Sequence, residues 1–251
     1  MLKIISKKFI IQHCVIWFSR GVPKFSILKL CDYRQCSSNI NVPGFLRKDF
    51  RTIHVDLRLS EQSILAAFAK NVQYEIRRAE RDGVDFVVSN NVSEFVLFYN
   101  SFAYSKRRNS IKEADLNKMG QNILFTIALH GGASIVMHSY LIDNDSARVR
   151  LLHSASNFRA MKSSQDRALV GRANRFLHFR DMLYFKEAKY NLYDFGGVSI
   201  DESDEELRKI NDFKKGFGGI VVDESNFLNL LLVLGLKLRE LLLIISMAVF
   251  K

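Results

Sequence analysis

Proline is nearly missing from this chain: only Pro23 and Pro43 occur in 251 residues. Proline interrupts helices and strands alike, so its scarcity lets long elements form. With hydrophobic residues at 48%, extended disorder is excluded over most of the chain. Cysteine is scarce too. Cys14, Cys31 and Cys36 have neither the spacing of a disulfide framework nor the second pair of a zinc site, and three reduced thiols of a cytosolic protein are expected. The chain has no His-Glu-x-x-His or Cys-x-x-Cys motif and no carboxylate cluster at metal spacing, so no metal and no resident cofactor are expected. A Walker-type loop, a Gly-x-Ser-x-Gly elbow and a dinucleotide fingerprint are missing as well. No secretory signal is expected in residues 1 to 18, which read as a strand, because Gln12 and His13 interrupt the apolar run and no small-residue cleavage site follows. Acidic excess is also absent. Lys and Arg number 37 against 26 Asp and Glu, a net charge of +11, which favours nucleic acid, phosphate-bearing substrates or an anionic membrane as partner.

Strands and helices alternate without a fixed repeat, which predicts an α/β (α+β) fold and excludes a solenoid. Phe9 to Phe18 and Phe25 to Leu30 are β-rich runs around a turn at 19 to 23. Ile53, Val55 and Leu57 alternate as in a half-buried strand. Ser60 then caps a helix with Ile64, Leu65, Phe68, Val72 and Ile76 on one face, ended by Gly83. That helix carries the basic cluster Lys70, Arg77, Arg78 and Arg81, which suits its C-terminal dipole and could also meet an anionic ligand. A strand at 84 to 88, helices at 92 to 105 and 113 to 121, and strands at 123 to 129, 133 to 142 and 148 to 153 follow. Helical spacing from Ser163 to Phe185 then leads into a strand at 190 to 195.

Two glycine pairs stand out: Tyr193-Asp194-Phe195-Gly196-Gly197 and, past an acidic helical run, Phe213-Lys214-Lys215-Gly216-Phe217-Gly218-Gly219. Glycine costs backbone entropy where an ordinary residue would do, so such pairs mark tight turns or backbone approaching a ligand. Together with Gly171 to His178 and Asp181 to Lys186, these pieces resemble the C-terminal part of the FemAB-like branch of the GNAT acyltransferases. The resemblance extends more weakly from about Thr52 to Val222. It implies a GNAT-like mixed, largely antiparallel sheet flanked by helices, and transfer of an acyl or aminoacyl group to an amine.

The resemblance places Phe213 and Lys214 near the reacting centre, Lys214 as the cation for developing carbonyl charge or an acceptor phosphate. Asp194 is expected to position the amine or fix its loop. His178, one turn beyond Asn174 and near Asp181, is a candidate proton relay. Arg172, Asn174, Asp181, Gly196, Gly197, His138 and Arg77 are candidate substrate contacts. His138, which shares a strand face with Val136 and Tyr140, and His153 are equally readable as core histidines. The implied donor is acyl-CoA, acyl carrier protein or aminoacyl-tRNA as cosubstrate; the implied acceptor is a nucleotide-sugar or lipid-linked glycan precursor of the cell envelope. The acyl-CoA loop of ordinary GNAT enzymes is reduced to Gly171-Arg172-Ala173, and there is room for little more than one transferase lobe.

The expected organisation is 1–51 as strands extending the sheet, 52–225 as the acyltransferase domain and 226–251 as an apolar helix. Within the last segment Lys237, Arg239 and Glu240 sit centrally, where each costs about 2.5 to 3.5 kcal/mol in a bilayer, so an interfacial or core-docked helix is expected rather than a span. The expected location is cytoplasmic, at the inner face of the membrane. On this reading tRNA is expected as a donor carrier and no DNA as a partner. Two competing readings are a nucleic-acid-binding protein without catalysis, resting on the net charge and the clusters Arg77-Arg78-Arg81 and Lys106-Arg107-Arg108, and an inert membrane-associated scaffold.

Overall fold

The structure, a computed structural model, describes residues 1–8, 11–23, 26–201 and 203–235. The chain divides into two compact units, 1–51 with 223–251, and 52–222.

In the first unit, β1 (Leu2–Lys8) pairs antiparallel with β2 (Ile11–Trp17), and β2 runs parallel to β3 (Cys31–Cys36). Ser26–Lys29, read as part of a strand from its apolar residues, is a single 3-10 turn, and the following strand lies one segment later. The expectation of three reduced thiols is corrected here. Cys14 and Cys31 face each other in the β2–β3 register, with Cα atoms 4.5 Å apart, and form a disulfide. Their separation of 17 residues carries no signal of that pairing, because the parallel register that creates it depends on the whole unit. Cys36 is free and fully buried; burial and then the nearby Glu224 charge push its thiol up to about 12, which keeps it an inert apolar group. Tyr33, Phe45 and Phe227 complete this small core.

Two strands cross the unit boundary: β4 (Phe45–Asp56) and β10 (Ile220–Asn229). In the first unit Ser225 and Phe227 of β10 pair antiparallel with Cys36 and Tyr33 of β3. The helix expected from Phe227 therefore starts later, since 227–229 are strand and helix begins at Leu230. The segment 236–251, with Lys237, Arg239 and Glu240, lies outside the described residues. Among the described residues no helix is long and apolar enough to cross a membrane.

The second unit carries the sheet order β4–β9–β8–β7–β6–β5. Its strands are β5 (Val84–Ser89), β6 (Ile123–His130), β7 (Ala133–Asp143), β8 (Arg148–Ser156) and β9 (Leu192–Val198). Pairing is antiparallel from β5 to β8, and β8 runs parallel to β9. This is the mixed, mostly antiparallel sheet flanked by helices that the sequence predicts.

The helix expected to run unbroken from Ser60 is two: α1 (Glu61–Ala66), capped by Ser60, and α2 (Lys70–Arg81). The break leaves the amide of Ala69 free to donate to the carbonyl of Gly216. Gly83, at φ +75°, lets the chain turn directly into β5. Helices α3 (Val92–Ser105) and α4 (Glu113–Asn117) follow.

The centre of the unit is α5 (Ser164–Glu187), whose buried residues lie on nearly every side. It packs on α2 and on β6, β7 and β8. Phe176, Phe179 and Phe185 are buried along it, each contributing about 1.5–3 kcal/mol relative to exposure. Being enclosed, α5 can hold His178 and Asp181 away from water, and that sets up the site.

Candidate active site

A cleft of about 630 Å³ opens in the second unit between β8, the end of β9 and α6 (Glu205–Lys215). Asp204 caps α6 by accepting from the amides of Glu206 and Leu207, so the acidic run before it starts the helix whose last turn presents Phe213 and Lys214 to the cleft. Phe195, Gly196, Gly197, Asn174 and His178 line the same space. Thus six of the sequence candidates, Lys214, Phe213, His178, Asn174, Gly196 and Gly197, come together.

The Lys214 ammonium donates to the carbonyl of Gly197 at 2.6 Å and lies 3.5 Å from that of Gly196. Burial and then the Arg150 charge lower its pKa to about 8, against the opposing pull of Asp194. Both glycine carbonyls lie near the end of β9, and Gly196 has a specific reason to be glycine. Its φ is +69°, and a Cβ there would meet the Leu151 carbonyl oxygen at 2.8 Å. The second pair does something else: Cβ atoms on Gly218 and Gly219 would collide with backbone oxygens of Ala67 and His54, so these glycines allow close packing of the chain on itself.

Asp194, fully buried, fixes the β9 turn from behind. Its Oδ1 accepts from the Thr52 hydroxyl and, at 2.8 Å, from the Gly196 amide. Its Oδ2 accepts from Arg148 Nη2 at 2.5 Å, and Arg148 in turn meets His54 at 3.1 Å. Burial would raise the Asp194 carboxyl, but the charges of Arg148, Arg150 and His54 hold it well below the usual carboxylate range. These hydrogen bonds are the contacts that the loop-fixing role expected of Asp194 requires.

Behind the cleft wall lies a chain of buried polar groups. His138 Nε2 lies 2.9 Å from Asn174 Oδ1 and its Nδ1 lies 2.8 Å from Asp181 Oδ2. Tyr140 donates to the same carboxylate oxygen at 2.5 Å, Tyr193 is 2.7 Å from Tyr140, and His178 Nδ1 is 2.8 Å from Tyr193. Burial, then the charges of His138, Lys214 and Arg175, lower the His178 pKa well below the ordinary value, so the ring is neutral at neutral pH. His138, His178 and Asp181 offer ligand-type atoms within 4.8 Å of one another. Both Nδ1 atoms and Asp181 Oδ2 are spent in hydrogen bonds, while Asp181 Oδ1 is buried without a hydrogen-bond partner among the described residues.

Two candidates lie elsewhere. Arg172 is buried and holds Asp82 at 2.8 Å, and Arg77 is exposed on α2; neither lines the cleft. Conversely, the sequence did not single out Arg150, Arg159 or Lys209, which line the cleft with Lys106 and Arg108 against a single acid, Glu206. Glu206 is itself engaged by Lys106 at 3.1 Å. Lys106 and Arg108 belong to the basic run Lys106-Arg107-Arg108, whereas Arg150, Arg159 and Lys209, on β8, the turn after it and α6, join them only in the fold.

No protein-family model and no curated protein matches the chain. Among solved structures, FemX superposes with a TM-score of 0.64 at 11% identity, covering 90% of this chain and 83% of its own. The C-terminal domain of an Agrobacterium fabrum protein assigned as a lysylphosphatidylglycerol synthetase gives 0.54 at 16%, covering 79% and 67%. L-PGS from Bacillus licheniformis gives 0.53 at 12%, covering 80% and 68%. At such identities the likeness is one of fold, and a fold shared with FemX agrees with the FemAB-like resemblance of the sequence.

Proposed function

We propose that this protein transfers an acyl or aminoacyl group to the amine of a lipid-linked or sugar-linked precursor in cell-envelope synthesis, working at the inner face of the cytoplasmic membrane. The observation that carries this reading is the Lys214 ammonium, held by the Gly197 carbonyl in the wall of a cleft that His178, Asn174 and Phe213 also line. An amine attacking an activated ester or thioester develops negative charge on the carbonyl oxygen, and a fixed cation in a partly water-excluded wall stabilises it. Phe213 supplies apolar surface beside that charge, Asn174 a hydrogen-bonding amide, and His178 a neutral ring nitrogen for the amine's proton. Asp194 keeps the Gly196 and Gly197 carbonyls where Lys214 needs them.

The cations around the cleft suit a phosphate on the acceptor, whether a lipid headgroup or a nucleotide-sugar, or the phosphates of acyl-CoA, acyl carrier protein or aminoacyl-tRNA as donor. Likeness in fold to FemX and to lysylphosphatidylglycerol synthetases supports an aminoacyl donor and a lipid-linked or peptidoglycan-precursor acceptor. The test is a donor and acceptor panel read by mass spectrometry: acetyl-CoA and mixed aminoacyl-tRNA as donors, phosphatidylglycerol vesicles and nucleotide-linked amino sugars as acceptors. An added acyl mass on one acceptor supports the reading. No transfer, together with tight duplex binding that falls steeply with salt, favours a nucleic-acid binder instead.

A further inference from the structure

We propose that Tyr193 and Tyr140 are positioning residues that fix His178 in a single tautomer, with Nδ1 protonated and Nε2 bare toward the cleft, so that Nε2 takes the proton of the attacking amine. The inference rests on the acyl-transfer reading above and adds to it a proton acceptor with a defined orientation.

The argument is a count of protons. Three contacts stand in series: Asp181 to Tyr140, Tyr140 to Tyr193, and Tyr193 to His178. Each needs one hydrogen, and the two phenols supply only two. Tyr140 spends its hydrogen on the Asp181 carboxylate, so its oxygen must accept from Tyr193. Tyr193 then has none left for His178, and its oxygen accepts from His178 Nδ1–H. The reverse order would press two phenol oxygens together at 2.7 Å with no hydrogen between them. Tyr140 and Tyr193 are both fully buried, and burial followed by the Asp181 charge raises both phenols well above the ordinary value, so neither gives up its proton.

With Nδ1 committed, Nε2 is the free atom of His178: it makes no hydrogen bond among the described residues, and the residue lines the cleft beside Phe213 and Lys214. The groups around the ring are His138 on β7, with ring centroids 4.2 Å apart, Lys214 and Phe213 on α6, Arg175 on α5, Tyr193 and Phe195 on β9, and Phe217 beyond α6. Burial first, and then the charges of His138, Lys214 and Arg175, keep the ring neutral and its lone pair available.

In the reaction the acceptor ammonium first loses one proton to water, and its nitrogen then forms a bond to the acyl carbon. As the bond from that carbon to the donor's oxygen or sulfur breaks, Nε2 takes a second proton from nitrogen and returns it to the departing atom, leaving the enzyme unchanged.

The test needs no substrate for its first arm. In protein carrying ¹⁵N-labelled histidine, the His178 signals, identified by their loss in His178→Gln, should show a protonated Nδ1 and a pyridine-like Nε2 at pH 7. In Tyr140→Phe the proton of Tyr193 is released from Tyr140 and donates to Nδ1 instead, so His178 should switch to the Nε2-protonated tautomer. A wild-type ring that is Nε2-protonated or doubly protonated overturns the inference, as does a tautomer unchanged in Tyr140→Phe. In the second arm, Tyr140→Phe should lower kcat by about 10²-fold with KM unchanged, and His178→Gln by at least as much. If wild-type protein transfers and Tyr140→Phe matches it, the inference fails while the acyl-transfer reading stands. If no donor and acceptor pair reacts, the reading itself fails whatever the tautomer.

Discussion

Lys214 Nζ donates to the carbonyl oxygen of Gly197 at 2.6 Å, tying the last turn of α6 to the end of β9 across 17 residues of chain. The contact joins helix, strand end and cleft wall, beside the Asn211–Ser199 hydrogen bonds one turn earlier, and the charge state of Lys214 follows from where it lies. Because burial and Arg150 bring the amine to about 8, the ammonium form is present below that pH and lost above it. Transfer should therefore fall as pH rises through about 8. In Lys214→Arg, whose guanidinium stays protonated, that falling limb should move to higher pH, read from a pH–rate profile.

Gly196 makes a different demand on the same turn. Replacing it with alanine forces a residue with a side chain to φ +69° and drives its Cβ into the Leu151 carbonyl. The conformational term alone is on the order of 1–3 kcal/mol. Chemical denaturation should show Gly196→Ala with a clearly lowered midpoint, and Gly197→Ala, at an exposed position without positive φ, with a midpoint near wild type.

Asp194→Asn removes the charge that Arg148 meets while leaving Arg148 buried. Breaking one side of a buried pair typically costs about 3–5 kcal/mol, so the variant should unfold at markedly lower denaturant. A double change, Asp194→Asn with Arg148→Met, should recover part of the loss. The carboxyl is held low in the fold, so its contribution is present above the ordinary carboxylate pKa and is lost only in strong acid.

Acid weakens the fold by a second route. His178, and His153, which burial and Arg150 lower to about 4, are neutral in the folded protein and free to protonate when unfolded. The unfolded state binds more protons below about 6.5, so stability should decline as pH falls from there toward 4. Denaturation midpoints measured across that range should slope downward, and His153→Gln should flatten the slope.

Much of this could be read from local pattern. The alternation of Ile53, Val55 and Leu57, the cap at Ser60, the acidic helical run before Phe213, and the helical spacing around Phe176 and Phe185 place β4, α1, α6 and α5, because each rests on near neighbours in the chain. The glycine motifs lead to Lys214 and Gly196 for the same reason. What stayed hidden depends on distant partners. Cys14 meets Cys31 through a parallel register, Arg172 turns to Asp82, and Arg150 joins Lys209 at one cleft only after β8 and α6 are folded. The Tyr140 and Tyr193 hydroxyls are invisible in an apolar strand pattern until Asp181 comes within reach.

The central claim is that Lys214 stabilises the charge formed during acyl transfer. The most direct measurement is the single-turnover rate of transfer for wild type and Lys214→Ala, with any donor and acceptor pair that the wild-type protein joins, alongside their unfolding midpoints. The account predicts a rate lower by about 10² to 10³ in Lys214→Ala with the fold intact. A Lys214→Ala protein that turns over at the wild-type rate would contradict it.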